Sequence, residues 1–233
     1  HPPRFGLDDE TGKLNLNALP QTPEGFAILR ELLIESGLPD RVEAGDLAAA
    51  IFDWRDGSNG VFRVEDATGA EADHYLALSP PYRPHDGPFK QVEELLWVRG
   101  MDTGRFERLR GQITIYGTTA AVNINTAPRP VLLALARSRG APPIAENLVR
   151  SIEYRRTGAP VFTNQLAILA ALQKDLKGPE WALLNTIYPL LTTRSTHFRA
   201  TCEGFDRPGA TQAVCRLQAV IDHTGTLLEW RER

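Results

Sequence analysis

Four acidic residues, Asp53, Asp56, Glu71 and Asp73, flank a glycine-rich stretch. Carboxylate oxygens around a flexible loop suit a hard cation such as Ca²⁺, which takes an all-oxygen shell. Their spacing is not the EF-hand ladder, so ordinary solvated loop acids are the competing reading. The second chemical signal is a pair of cysteines, Cys202 and Cys215. Between them Asp206-Arg207-Pro208-Gly209 reads as a turn, joining the strand-like runs HFRATCEG and AVCRLQAVID. Such a hairpin would set the thiols side by side, either as a disulfide or as two reduced, buried thiols. A bridge implies an oxidising compartment such as a periplasm.

Enzymatic chemistry has little to stand on. His1, His74, His85, His197 and His223 are scattered, with no His-x-x-x-His pair, no Gly-x-Ser-x-Gly and no phosphate-cradling glycine loop. Nucleic-acid binding has more. Residues 92–109 and 123–156 follow a helix, turn, helix outline, with Arg137, Arg139, Arg150, Arg155 and Arg156 close by. A helix-hairpin-helix module holds phosphate on the backbone N–H groups of its turn. Here the turns read Gly100-Met101-Asp102 and Arg139-Gly140-Ala141-Pro142-Pro143. Asp102 would repel phosphate, and the prolines have no N–H to give. A net charge of −3 and a pI near 6.0 also give no global attraction to polyanions. An extracytoplasmic helix-hairpin-helix DNA-binding module remains the alternative function.

The third signal is VNINTAP, from Val122 to Pro128. Alternation puts Asn123 and Asn125 on one strand face, where their amides can bond neighbouring backbone, while Val122 and Ile124 pack inward. Thr126 is placed to cap a following helix whose first turn accepts Pro128.

The elements that must position these residues follow from periodicity. Residues 8–19 open with acidic turn residues and Gly12, then alternate Leu14 and Leu16 with Asn15 and Asn17, predicting a strand whose second face needs polar partners. Helices are predicted at 24–36 and 41–54, then a long irregular stretch at 55–90 rich in glycine and proline. Further helices are predicted at 90–99 and 103–110, and a β pair from 112–116 and 121–125 around Gly117. Four more helices are expected at 128–139, 143–156, 163–176 and 179–186. From 187 onward the pattern turns to strands, ending with TLLEW at 226–230. The 42% hydrophobic content across 233 residues suffices for a proper core. No run is long and apolar enough to span a membrane. The chain starts at His1 and not Met, which predicts a processed protein or a cut fragment.

The fragments DDETGKLNLN, IFDWRDG, GAEADHYLAL, PFKQVEELLWVRGM and VNINTAP occur in this order. Together they resemble the K-type minor pseudopilins of bacterial type II secretion, the general secretion pathway protein K family. The likeness runs from about residue 7 to the final LLEW. It implies an α+β fold: a pilin-like antiparallel sheet from 1–18 and 187–233, with a large inserted helical domain at 19–186. That insert would divide into halves, about 19–111 and 122–186, containing SAM-like, helix-hairpin-helix-like subunits. Family members carry an apolar N-terminal helix that anchors them in the inner membrane. Its lack here implies a periplasmic ectodomain with the helix removed. The implied role is mechanical: with I-type and J-type minor pseudopilins, the protein caps the pseudopilus tip and helps initiate its assembly. The resemblance also implies Ca²⁺ in the helical domain. Against the family patterns Asp-Trp-x-Asp-x-Asp and Gly-Ala-Glu-Asp, however, Ser58 and Ala72 each stand where a carboxylate is usual.

Overall fold

A computed structural model describes residues 4–158, 162–205 and 214–232. The predicted turn at 206–209 lies outside the described residues, as do His1 and Val161. The helices are α1 (Pro23–Glu35), α2 (Arg41–Arg55), α3 (Ala72–Leu76), α4 (Thr103–Leu109), α5 (Arg129–Arg137), α6 (Pro142–Gly158), α7 (Gln165–Leu172) and α8 (Gly178–Ile187). The strands are β1 (Arg4–Asp9), β2 (Leu14–Asn15), β3 (Arg63–Val64), β4 (Ala67–Thr68), β5 (Ile113–Thr114), β6 (Val122–Asn123), β7 (Leu191–Thr192), β8 (His197–Gly204), β9 (Cys215–Asp222) and β10 (Leu227–Glu232).

Local chemistry starts and stops the helices. Thr22 accepts the Gly25 N–H at the head of α1, and Pro23 supplies a preset φ at its first position. Asp40 accepts from Val42 and Glu43 at the head of α2, and Asp102 and Asn164 cap α4 and α7 in the same way. Gly37, at φ +95°, ends α1. One continuous core joins the two expected halves. It includes Phe26, Leu29 and Leu32 of α1, Leu47 and Ile51 of α2, Leu132 and Leu135 of α5, Leu148 and Ile152 of α6, and Leu184 of α8.

The large sheet runs β1-β8-β9-β10 and is antiparallel throughout. The first and last parts of the described chain thus share one β ladder, with the helical body between them in sequence. Within the spans 1–18 and 187–233, this ladder uses only 4–9 and 197–232. Leu14–Asn15 and Leu191–Thr192 pair with strands of the body instead.

Three local expectations are corrected. Residues 112–116 and 121–125 do not pair with each other: β5 runs parallel to β2 and β6 parallel to β7. Residues 8–19 make the expected turn, a 3-10 turn at Glu10–Gly12 that bends the chain from the sheet into the body, but of the alternating run only Leu14–Asn15 is strand. Gly12 is required at that bend, since a Cβ there would lie 2.7 Å from Thr126 Oγ1. The segment around 90–99 forms a 3-10 helix, Val92–Trp97, and not an α-helix.

The polar face expected beside Leu14 and Leu16 is satisfied. Asn15 Nδ2 donates to the carbonyls of Tyr116 and Gly117, and Asn17 exchanges two bonds with the backbone of Phe89. Asn125 does the same with Phe162, donating to its carbonyl at 3.0 Å and accepting its N–H at 2.8 Å. Asn125→Leu strips both partners from that backbone. At about 1–3 kcal/mol for each group left unsatisfied, we expect about 2–4 kcal/mol of lost stability by denaturant titration. An unchanged midpoint would show that the pair is dispensable.

Candidate functional site

Asp53 lies on the last turn of α2 and Glu71 directly precedes α3, and both are buried, at 0% and 7% exposure. The segment between them folds back through the β3–β4 hairpin. Phe62 N–H donates to Asp53 Oδ1 at 2.8 Å, and Gly69 N–H bonds the Phe62 carbonyl at 2.9 Å. Gly69 passes so close that a Cβ would lie 1.9 Å from Asp53 Oδ2. Asp53 Oδ2 and Glu71 Oε1 are both buried without a hydrogen-bond partner. Burial, with the nearby Asp56 charge adding to it, pushes Asp53 up to about 6. Burial likewise pushes Glu71 up to about 7, helped by the charges of Asp53, Asp56 and Asp86. Asp86 is the acid that the sequence pattern missed; it comes from the irregular segment after α3.

The four predicted acids do not act as one set. Asp56 spends both oxygens on the protein, accepting the Ser58 N–H and the Gln21 side chain. Asp73 is exposed on the first turn of α3. No cluster of three or more His, Cys, Asp or Glu side chains converges among the described residues. Two carboxylates with spare buried oxygens do fit an oxygen-seeking cation, whose remaining ligands would be backbone carbonyls or water.

The thiols are also corrected. Both Cys202 and Cys215 are free. In the β8–β9 register Cys202 faces Leu217 while Cys215 faces Gly204, so the cysteines stand diagonally and not opposite each other. Thr126 does not cap a helix: α5 follows Pro128, with no side-chain cap, and Thr126 Oγ1 donates to Asp9 Oδ2 at 2.7 Å. Asn123, 2% exposed, donates to the same Asp9 oxygen at 2.8 Å, and Ser195 Oγ does so at 2.7 Å. The residues singled out at 123 and 126 thus fasten the sheet to the body.

The arginines weighed for DNA are largely consumed inside the fold. Arg137 pairs with Glu35, Arg155 with Asp175, and Arg156 caps the carbonyls of Ile124 and Ala127. Asp102 occupies the turn where phosphate would sit. These contacts remove the basis of the nucleic-acid alternative.

A further surface emerges from the large sheet, whose two faces differ in chemistry. The face toward the helical body is polar. Arg199 donates to Glu10 at 2.8 Å, Tyr116 to Glu229, and Arg231 binds both Glu229 and Glu93. On the other face the register aligns Phe5 and Leu7 of β1, Ala200 and Cys202 of β8, Leu217 and Ala219 of β9, and Trp230 of β10. Phe5 is 76% exposed, Leu7 66% and Trp230 57%. Ala200, Cys202 and Ala219 thus make a low patch on the central strands, with Leu217 beside it, while Phe5, Leu7 and Trp230 stand on the edge strands. The alternation in HFRATCEG and CRLQAVID was readable, but which face stays open was not.

Comparison with known proteins agrees with this architecture. Residues 12–118 match the family model for type II secretion system protein K. The chain is 31% identical over 150 residues to the type II secretion system protein K of Pseudomonas aeruginosa, covering 63% of this chain and 43% of that protein. It is 35% identical over 123 residues to that of Pectobacterium carotovorum, covering 52% and 34%. The chain therefore spans less than half the length of either relative. Its fold is similar to a chain in the crystal structure of the GspK–GspI–GspJ complex from the enterotoxigenic Escherichia coli Type 2 Secretion System, with a TM-score of 0.75 and 21% identity over 99% of this chain and 79% of that one. Residues 12–118 thus carry a type II secretion system protein K domain, and the similar relatives and the fold agree with that assignment.

Proposed function

We propose that this chain is a non-enzymatic minor pseudopilin, a periplasmic subunit that caps the type II secretion pseudopilus and helps initiate its assembly. The observation that carries this reading is the open apolar face of the sheet, backed on its other side by a large helical body. Its edge strands stand three strand spacings apart, about 14 Å, and a helix with its side chains is about 10–12 Å across. An apolar helix of the kind the family carries at its N-terminus therefore fits between Phe5 and Leu7 on one side and Trp230 on the other. The I-type and J-type minor pseudopilins, named in the complex of similar fold, are the partners this reading assigns. The helical body behind the sheet supplies bulk that would block a further subunit. A cap of this kind needs shape and affinity but no reacting groups.

A calcium ion is the cofactor that fits this reading, held by Asp53 and Glu71 in the helical body. It would add to the charge of Arg99, which acts on Asp53, and join the end of α2 to the start of α3.

Two outcomes test these assignments. Leu7→Glu and Trp230→Glu place charge on exposed positions, so the melting temperature should hold. Co-purification with I-type and J-type ectodomains should fall at least about tenfold, as for loss of a central apolar anchor; full retention would reject this face as the interface. The acidic pair gives a pH signature. Because Asp53 and Glu71 hold protons more tightly when folded than when unfolded, their contribution is greatest below about pH 4. It is lost as pH rises through about 6 and 7. In chelator, the melting midpoint should therefore decline between pH 5 and 8, and millimolar Ca²⁺ should flatten that decline. A flat profile without calcium would refute the buried, uncompensated pair.

A further inference from the structure

The acidic pair sits at one end of a continuous aromatic stack. Trp54 follows Asp53 on α2 and is 4% exposed. Its ring meets that of Tyr75 edge-on at 5.3 Å. Tyr75 is fully buried, and its ring lies 5.3 Å from Tyr82, which lies 5.4 Å from Trp97. Backbone ties follow the same route. Tyr82 N–H donates to the Tyr75 carbonyl at 3.3 Å, Tyr82 Oη donates to the Trp97 carbonyl at 2.8 Å, and Tyr75 Oη accepts the Arg99 N–H at 3.3 Å. At the far end the stack reaches the surface. Trp97 is 58% exposed there; Leu76 and Leu78, which follow Tyr75 in the chain, and Leu96, which precedes Trp97, are 43%, 39% and 40% exposed.

The two carboxylates are held unequally. Asp53 belongs to a helix of 15 residues whose buried side is built into the core. Glu71 precedes a helix of only five residues that has no side-chain cap, followed by an irregular segment up to Gln91. When two like charges repel inside the protein, the more weakly held element yields. That element is α3, and its one fully buried side chain is Tyr75.

We infer that divalent-cation binding at Asp53 and Glu71 is coupled through the Trp54–Tyr75–Tyr82–Trp97 stack to the order of the segment 92–98, which carries the exposed Leu96 and Trp97. The cation draws Glu71 toward Asp53 and fixes α3. Tyr75 then seats against Trp54, which in turn fixes Tyr82 and the backbone at Trp97. Without the cation α3 loosens, and Tyr82 and the backbone at Trp97 lose the ring that holds them. This inference rests on the cation site assigned above, and it adds that the site controls a surface on the far side of the stack.

Hydrogen exchange of the whole chain, read by segment, tests it alongside calorimetry with the metal alone. At about 1 mM Ca²⁺, the weak end of the range for extracellular modules, calorimetry should give saturable heat. Amide protection should rise several-fold in both 72–82 and 92–98, and chelator should reverse it. Glu71→Gln should remove heat and protection together. Tyr75→Leu, checked for retained helix content, should keep the heat and the protection at 72–76 but lose the gain at 92–98. Heat without any change at 92–98 in the unaltered chain would overturn the coupling and leave the site standing. Absence of heat would overturn the site, and the coupling with it.

Discussion

The structure hangs on two adjacent carboxylates, Asp9 and Glu10, at the point where β1 leaves the sheet and enters the body. Asp9 gathers donors from four places: the Thr11 backbone, Asn123, Thr126 and Ser195. Glu10, 1% exposed, accepts from Lys13 at 2.6 Å, Thr114 at 2.6 Å and Arg199 at 2.8 Å. Segments up to 189 positions apart thus meet on two neighbouring side chains. Burial pushes Glu10 up, but Lys13 and Arg199 with their hydrogen bonds more than offset it and hold it below the usual carboxylate range. Removing either cation would leave a buried, under-compensated charge, a change that typically costs about 3–5 kcal/mol.

This joint explains how the sheet can expose one apolar face. In most antiparallel sheets the apolar face meets the body and the polar face meets water. Here the arrangement is reversed. Arg199, Glu229 and Arg231 point at the body and are paired by Glu10, Glu93 and Tyr116, so the interface between sheet and body is ionic. Val220 is the apolar side chain buried on the body side, while Phe5, Leu7 and Trp230 stay free for an external partner, a use that suits an assembly subunit. Register matters too, since a slip by one residue would turn Phe5, Leu7 and Trp230 inward and the arginines outward.

Much of this was legible because it is local. Helical spacing and capping residues placed α1, α2, α5 and α6 within a few residues of their ends, and alternation marked β8 at its observed limits. An antiparallel sheet formed by the two ends was also readable, through the family resemblance, though not its four strands or their order. What failed was long-range and short in extent. A two-residue strand such as β5 or β6 carries no periodicity that names its partner, so proximity in sequence suggested a hairpin that the fold does not make. Thr126 looked like a cap because only its neighbours were in view, whereas its acceptor Asp9 lies 117 positions away. The cysteines were sound as members of adjacent strands, but a turn length read from sequence could not fix a register offset of two. Of the acidic set, Asp53 and Glu71 were recognisable by type, yet nothing local separates them from Asp56, which is spent on Ser58 and Gln21.

Glu10 and the pair Asp53 and Glu71 form an internal comparison. All three are carboxylates at under a tenth exposure, and burial by itself raises the proton affinity of each. Their proton affinities nevertheless move in opposite directions. The difference lies in what surrounds them: Glu10 has two cations in direct contact, whereas the pair has further acids nearby and two buried oxygens without donors. At neutral pH a buried carboxylate must be compensated by a cationic side chain, a proton or a metal ion. The fold supplies a cationic side chain at Glu10, where a permanent joint is needed. Among the described residues, Asp53 and Glu71 form no ion pair with a cationic side chain, so compensation there falls to a proton and varies with pH. A protein that uses one solution at its central joint and the other beside α3 has separated a fixed connection from an adjustable one.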